Sequence, residues 1–280
     1  MSGLENTRGH DLPEKPQHSE YRYHWVAFVT IFAKEVRRFM RIWPQTLLPP
    51  AISMVLYFVI FGAVIGSRIG TMGGFSYMTY VLPGLVMMSV ITNSFSNVAS
   101  SFFSNKFQRS IEEVLISPVP DWIILAGYVL GGVARGVITG AIVMGLGLFF
   151  LGMENELEVH DVFATLLAVV MTATLFALGG FINGIFARKF DDVSIIPTFV
   201  LTPMTYLGGV FYSIDILPEF WQKVSMLNPI LYQVNTFRYG LLGAAGGVDT
   251  GFSFVVMFLA ILLLGAFSLH LLKTGRGLRS

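Results

Sequence analysis

The chain has 280 residues, 54% of them hydrophobic and 12% charged, with a mean hydropathy of +0.68 and a net charge of +1. That composition excludes an ordinary soluble domain, and so little net charge leaves no broad basic surface for nucleic acid. Cysteine is absent, which removes disulfides, thiol catalysis and thiolate metal sites, and the five histidines at 10, 18, 24, 160 and 270 are never spaced as ligand pairs. What remains is an all-α polytopic membrane protein.

Residues 1–20 are polar, carry Pro13 and Pro16, and have no apolar run. They read as a disordered leader rather than a cleaved signal peptide. The next stretch, "WVAFVTIFAKEVRRFMRIW" (25–43), predicts an amphipathic helix. Trp25, Phe28, Phe32, Val36, Phe39 and Trp43 share one face, and Lys34, Arg37, Arg38 and Arg41 another. Such a helix lies along a membrane surface with its cations near anionic lipid headgroups, and Pro44 ends it. The alternative, a helix packed on a soluble domain, has little to pack against here.

A bilayer core of about 30 Å needs roughly 20 apolar helical residues. Six stretches meet that requirement, near 47–66, 77–104, 122–151, 162–186, 194–212 and 251–272. The segment 232–246 is less apolar and holds Arg238, so it is not counted. Placing both termini in the cytoplasm puts fourteen of the eighteen Lys and Arg residues inside, against Arg68, Lys223 and Arg238 outside and Arg135 within a span. The loop "GMENELEVHD" has Glu154, Glu156 and Glu158 but no cation, and falls outside on that reading.

Between the second and third spans lies "NKFQRSIEEVLISPVPDW" (105–122), a charged interruption closed by Pro118 and Pro120. Ser110 followed by Glu113 predicts a capping box opening a helix over about 110–117. A helix this short is unstable alone, so either the ends of the neighbouring spans or a second protein must hold it. Ile111, Val114 and Leu115 form a small apolar face for that purpose, with Glu112 and Glu113 beside it.

"RSIEEVLISPV" resembles the loop signature of ABC-2 type transporter permeases, the membrane subunits of one class of ATP-driven exporters. "YVLPGLVMMSV" (80–90) and "ILPEFWQKVSMLNPILYQVNTFRYG" (216–240) resemble that family's second span and its outer segment. "KFDD" and the terminal "GRGLRS" are similar to a subgroup of bacterial inner-membrane permeases. The resemblance implies a type V exporter-like fold over 21–280: an interfacial helix, six spans, and short re-entrant outer helices between spans five and six. It implies that residues 110–117 are a coupling helix, that a separate ABC ATPase carries ATP and Mg, and that the permease is a homodimer in a two-plus-two complex. A plain outer loop at 216–240 is the alternative to re-entrant helices, although its aromatic residues suit a membrane interface.

No phosphate-binding Gly-rich turn into Lys-Ser/Thr occurs, so the chain is not expected to hydrolyse ATP or to hold a cofactor or metal itself. An ion-coupled carrier or channel would advertise acids or histidines within its spans, and a membrane enzyme a nucleophile–base or paired-carboxylate set; neither is seen. A transport path is suggested by a polar stripe in the second span, Ser89, Asn93, Ser96, Asn97, Ser100 and Ser104, and by Thr202, Thr205 and Tyr206 in the fifth. Such stripes either hold helices together or line a groove. Arg135 either meets an anionic substrate or pairs with helix ends. Nothing in the pattern names the substrate among drugs, lipids and lipid-linked glycans or polysaccharides.

Overall fold

The computed structural model describes residues 18–152, 159–244 and 248–277. Most of the leader, the acids Glu154, Glu156 and Glu158, and the last three residues of "GRGLRS" lie outside the described residues.

Helix α1 (His18–Arg41) is the amphipathic N-terminal helix. Pro44 and Pro49 stand in the first turns of α2 (Trp43–Thr46) and α3 (Leu48–Tyr57), where a missing N–H costs nothing. The chain continues through a π-wound stretch, Phe58–Gly66, into α4 (Ser67–Ile69). A two-stranded hairpin, Thr71–Met72 with Phe75–Ser76, then turns on Gly73 and Gly74 with φ of 60° and 87°. Both values are positive, which is what a tight hairpin turn requires and glycine supplies.

Ser76 caps α5 (Tyr77–Phe107), its hydroxyl accepting from the Thr79 N–H at 3.3 Å. After α6 (Ser110–Ile116) come α7 (Asp121–Phe150) and α8 (Val162–Phe186), the latter capped by Asp161 accepting from the Ala164 N–H at 2.9 Å. Helix α9 (Phe190–Ile196), a π turn at Pro197–Leu201 and α10 (Thr202–Leu207) follow in line. A 3-10 turn (Ile214–Ile216), α11 (Glu219–Met226), α12 (Pro229–Leu242) and α13 (Thr250–Thr274) complete the chain.

Among the described residues five helical segments are long and apolar enough to cross a membrane: Trp43–Gly62, Tyr77–Phe107, Asp121–Phe150, Val162–Phe186 and Thr250–Thr274. The stretch expected as a fifth span, 194–212, is not among them. The helical run that contains it opens at Phe190 with the polar Asp191 and Asp192 and ends at Leu207, where Gly208 and Gly209 turn the chain.

Helix α5 is the centre of the bundle. It packs on α8 and α7, and most of its residues are buried, whereas α13 and the first spanning segment leave most of their surface facing outward. Small residues make the close approach possible. A Cβ at Gly180 would overlap the Phe95 carbonyl, and one at Gly136 would overlap the Ser94 hydroxyl, so α8 and α7 meet α5 nearly backbone to backbone.

Two helices, α11 and α12, stand where a plain outer loop was the alternative. Helix α12 is mostly buried and packs against α8, α13 and α5. Arg238, assigned to the outside by charge counting, is fully buried. Its Nη2 donates to the Gly209 carbonyl at 2.8 Å, Nη1 to Asn235 Oδ1 at 3.0 Å and Nε to the Tyr80 carbonyl at 3.3 Å, with the guanidinium 4.1 Å from the Tyr80 ring centroid. Carbonyl oxygens and an aromatic face offset its desolvation, so this arginine pins α12 to α5.

Replacing Gly180 by Leu should separate α8 from α5 and destabilise the protein by roughly 1–3 kcal/mol, the usual range for overpacking. Gly145→Ala, where a Cβ meets nothing within 4 Å, should be tolerated. Thermal unfolding in detergent of the two variants beside the parent checks this; equal midpoints for all three would refute the close-packed α5–α8 contact.

Candidate functional site

Asn93, Asn97, Ser101 and Asn105 lie four residues apart and therefore face one way along α5. Each meets a polar partner on another helix. Asn93 Oδ1 accepts from Arg135 Nη2 of α7 at 3.2 Å. Asn97 accepts from Arg38 Nη2 of α1 at both Oδ1 (2.8 Å) and its carbonyl (3.0 Å). The Ser101 hydroxyl donates to Glu35 Oε1 at 2.8 Å. Asn105 donates through Nδ2 to the Tyr128 hydroxyl of α7 at 2.7 Å, and its Oδ1 accepts from Lys34 Nζ at 3.3 Å.

Glu35 was not legible as a site residue. It reads as one acid on a basic, surface-bound helix, yet it is buried, with Arg38 Nε 3.3 Å from its Oε2. Arg38, expected among headgroup-facing cations, is turned inward to Glu35 and Asn97. Lys34, Arg37 and Arg41 remain exposed. The reason is rotational: α1 presents Ile31, Glu35, Arg38 and Phe39 inward, a different stripe from the aromatic one the sequence suggests.

The α6 segment also departs from expectation. The residue before it, Arg109, has a left-handed backbone (φ 60°), and no side chain caps the helix. Ser110 does not form a capping box with Glu113. Its hydroxyl instead donates back to Asn105, to the carbonyl at 3.2 Å and to Oδ1 at 3.3 Å. Asn105 is thus a junction between α1, α5, α6 and α7. The apolar face of α6 is used within the chain: Ile111 is buried, and Val114 and Leu115 are half-buried against the core. Outward stand Glu112, Glu113 and Ile116, the last 84% exposed.

The expected path residues separate into two groups. Arg135 and Ser100 line a cavity of about 330 Å³ with Ser96, Phe103, Phe190, Val193, Ser194 and Pro197, between α5, α7 and the α9 segment. Asn93 and Asn97 stand behind it in the polar column. Thr202, Thr205 and Tyr206 lie elsewhere, on α10, and none lines that cavity. The Thr205 hydroxyl is buried and donates to the Leu201 carbonyl at 2.6 Å, Thr202 donates to the Pro197 carbonyl at 3.0 Å, and the Tyr206 ring packs beside Phe211.

Helix α9 is set in place by Asp192, whose Oδ2 accepts from the Arg188 N–H at 2.8 Å and the Lys189 N–H at 3.0 Å. Those bonds hold the carboxyl below its ordinary range. Among the described residues no group of three His, Asp or Glu side chains could hold a metal ion.

A family model described as ABC-2 type transporter matches residues 26–242. The inner membrane transport permease YadH of Escherichia coli strain K12 is 57% identical over 258 residues, covering 92% of this chain and 98% of that protein. Nodulation protein J of Rhizobium leguminosarum bv. viciae is 25% identical over 192 residues, 68% of this chain and 72% of that protein. Nodulation protein J of Rhizobium meliloti strain 1021 is 25% identical over 191 residues, covering 68% and 71%.

Removing the carboxylate with Glu35→Ala leaves the Ser101 hydroxyl and Arg38 Nε without an acceptor and should cost about 2 kcal/mol. The double variant Glu35→Ala with Arg38→Met should cost less than the sum of the two single ones. Denaturation midpoints of the purified variants decide it; additive losses would show that the two side chains do not act as a pair.

Proposed function

Because the chain belongs to the ABC-2 type transporter family, we propose that it is the membrane permease of an ATP-binding cassette exporter that moves an amphiphilic substrate outward across the bacterial inner membrane. It is a multi-pass membrane protein and an ABC transporter membrane subunit. The reading of an export direction, of two copies with two ATPase subunits, and of both termini in the cytoplasm is added here. It rests on the family pattern and on the basic residues around α1, α6 and α9. On the same reading the 194–212 segment completes six spans, α11 and α12 dip into the outer leaflet, and α1 lies along the inner one, with Lys34, Arg37 and Arg41 at the headgroups. ATP and Mg sit on the partner, and this chain supplies no catalytic group.

The observation that carries the mechanism is the junction at Asn105. A push on α6 from an ATPase closing on nucleotide passes through Ser110 and Asn105 into α5, and through Lys34 and Tyr128 into α1 and α7. Rigid helices transmit it because they pack closely at Gly136 and Gly180. The surface offered to that partner is Glu112, Glu113 and Ile116. Beside it a groove of about 350 Å³ between α1 and α6, bordered by Ala27, Ile31, Glu113 and Val114, has room for a partner side chain. Ion-coupled transport is the second reading, favoured by one observation only, the buried carboxylate of Glu35; its pairing with Arg38 and Ser101 leaves it poorly suited to take up and release a cation.

Three measurements test this. Ile116→Asp should leave the unfolding midpoint unchanged yet weaken co-purification with the ATPase subunit at least tenfold, since burying an Ile side chain is worth about 1.5–3 kcal/mol. Leu115→Asp, half-buried in the chain's own core, should lower stability and docking together. Unchanged docking in Ile116→Asp would remove α6 as the contact. Separately, the purified chain should neither bind nor hydrolyse ATP, and transport should vanish when the partner's catalytic carboxylate is removed; transport driven by a proton gradient without nucleotide would overturn the proposal. Finally, reporter fusions after Ser104 and Ala187 should read cytoplasmic and those after Gly70, Glu156 and Lys223 periplasmic.

A further inference from the structure

Arg135 stands midway along α7, in a segment that is otherwise apolar. A cation there costs about as much as any substitution a spanning helix tolerates, so its charge needs an answer. Arg38 has Glu35 at 3.3 Å; Arg135 has no carboxylate within ion-pair distance among the described residues. Its Nη2 is shared between two neutral acceptors, the Thr46 carbonyl at 3.3 Å and Asn93 Oδ1 at 3.2 Å, and its Nε is buried without a partner. One net positive charge and the unanswered N–H donors of Nε and Nη1 therefore belong to the guanidinium.

That guanidinium lines the cavity of about 330 Å³ between α5, α7 and α9. Two of the three hydroxyls on the wall are spent as donors: Ser100 donates to the Ser96 carbonyl at 2.7 Å and Ser194 to the Asp191 carbonyl at 3.1 Å, while the Ser96 hydroxyl stays available beside Arg135. The other four lining residues, Phe103, Phe190, Val193 and Pro197, are apolar. The volume falls at the low end of ligand cavities, about 300–1,000 Å³, which admits a headgroup and the start of a chain but not a whole lipid. Phe103 and Phe190 meet edge to face, 5.0 Å between ring centroids, at the end of the cavity nearer α6.

We propose that this cavity binds the anionic headgroup of an amphiphile, with the headgroup oxygens on Arg135 and the first methylenes along Phe103, Phe190, Val193 and Pro197. The site selects for negative charge because its one charged group is the guanidinium, with the Ser96 hydroxyl as a neutral donor beside it, and for an attached chain because Phe103, Phe190, Val193 and Pro197 cannot hydrogen-bond through their side chains. An anion supplies the charge that the protein withholds from Arg135, so occupancy turns a poorly answered buried cation into a pair. The inference deepens the export reading and rests on it for its meaning. Binding, however, is measured on the isolated chain without nucleotide or partner, so its failure leaves that reading standing.

Native mass spectrometry of the purified chain in maltoside detergent tests it, with dilauroyl phosphatidic acid, dilauroyl phosphatidylcholine and inorganic phosphate as probes. The parent should retain phosphatidic acid about tenfold more readily than phosphatidylcholine, as one well-placed charge-assisted contact provides. Inorganic phosphate at equal concentration should not displace it. Arg135→Gln should abolish the preference and Arg135→Lys should keep most of it. Ser194→Phe, at an exposed position on the cavity wall, should block binding while leaving the charge in place, and decides the matter if Arg135→Gln does not fold. A preference that survives Ser194→Phe or Arg135→Gln, equal retention of the two lipids, or displacement by phosphate would each overturn the assignment.

Discussion

The structure depends on how one apolar helix carries four polar side chains on one face. Asn93, Asn97, Ser101 and Asn105 would be a liability on a helix surrounded by lipid, where each unsatisfied group costs several kcal/mol. Placing α5 at the centre of the bundle removes that liability and dictates its neighbours. The face can be buried only against helices that bring complementary groups, and α1 and α7 bring Lys34, Glu35, Arg38, Tyr128 and Arg135. The opposite side of α5 meets α8, where the backbone at Gly180 leaves no room for a side chain. One face is held by polar pairing, the other by close contact.

This arrangement joins the outer and inner parts of the chain's work. The α6 segment is too short to be stable alone, and its N-terminus even accepts a left-handed Arg109. It persists because Ile111 is buried and Ser110 is bonded to Asn105. Through Asn105 the segment is tied to α5, and by the same residue to α1 and α7. Farther along α5, beyond the Arg135 contact, Arg238 fixes α12 through the Tyr80 carbonyl and ring. A single helix thus connects α6 with a buried cation and with the helices that follow α10.

Much of this was legible from residue order alone. The apolar stretches at 77–104, 122–151, 162–186 and 251–272 correspond to α5, α7, α8 and α13, because twenty or so apolar residues in a row have few other stable fates. The short helix at 110–117 was likewise marked by its flanking turns, and α1 by its amphipathic period. Less legible was 194–212, where prolines, threonines and a Gly-Gly turn left the helix ending at Leu207. Periodicity identifies a face; it does not say what the face meets. That is why the spacing of Ile111, Val114 and Leu115 leaves open whether the neighbouring spans or a partner covers them, while in the structure the chain itself covers Ile111 and leaves Ile116 outward.

The sequence by itself determined that the protein is helical and membrane-embedded, since hydropathy is a property of the chain's local composition. Only the tertiary structure decided what the charged residues do. Glu35, Arg38 and Arg238 look like surface charges in any linear reading, and each is drawn inward. Their partners, Ser101, Asn97 and the carbonyls of Tyr80 and Gly209, come from segments far away in the chain. Desolvating a charge is unfavourable until those partners arrive together, and their arrival depends on helix rotation and packing that no local pattern encodes. Among the described residues Arg135 differs from Arg38 in having no carboxylate and from Arg238 in having a buried Nε without a partner, and this too is visible only once the helices are assembled.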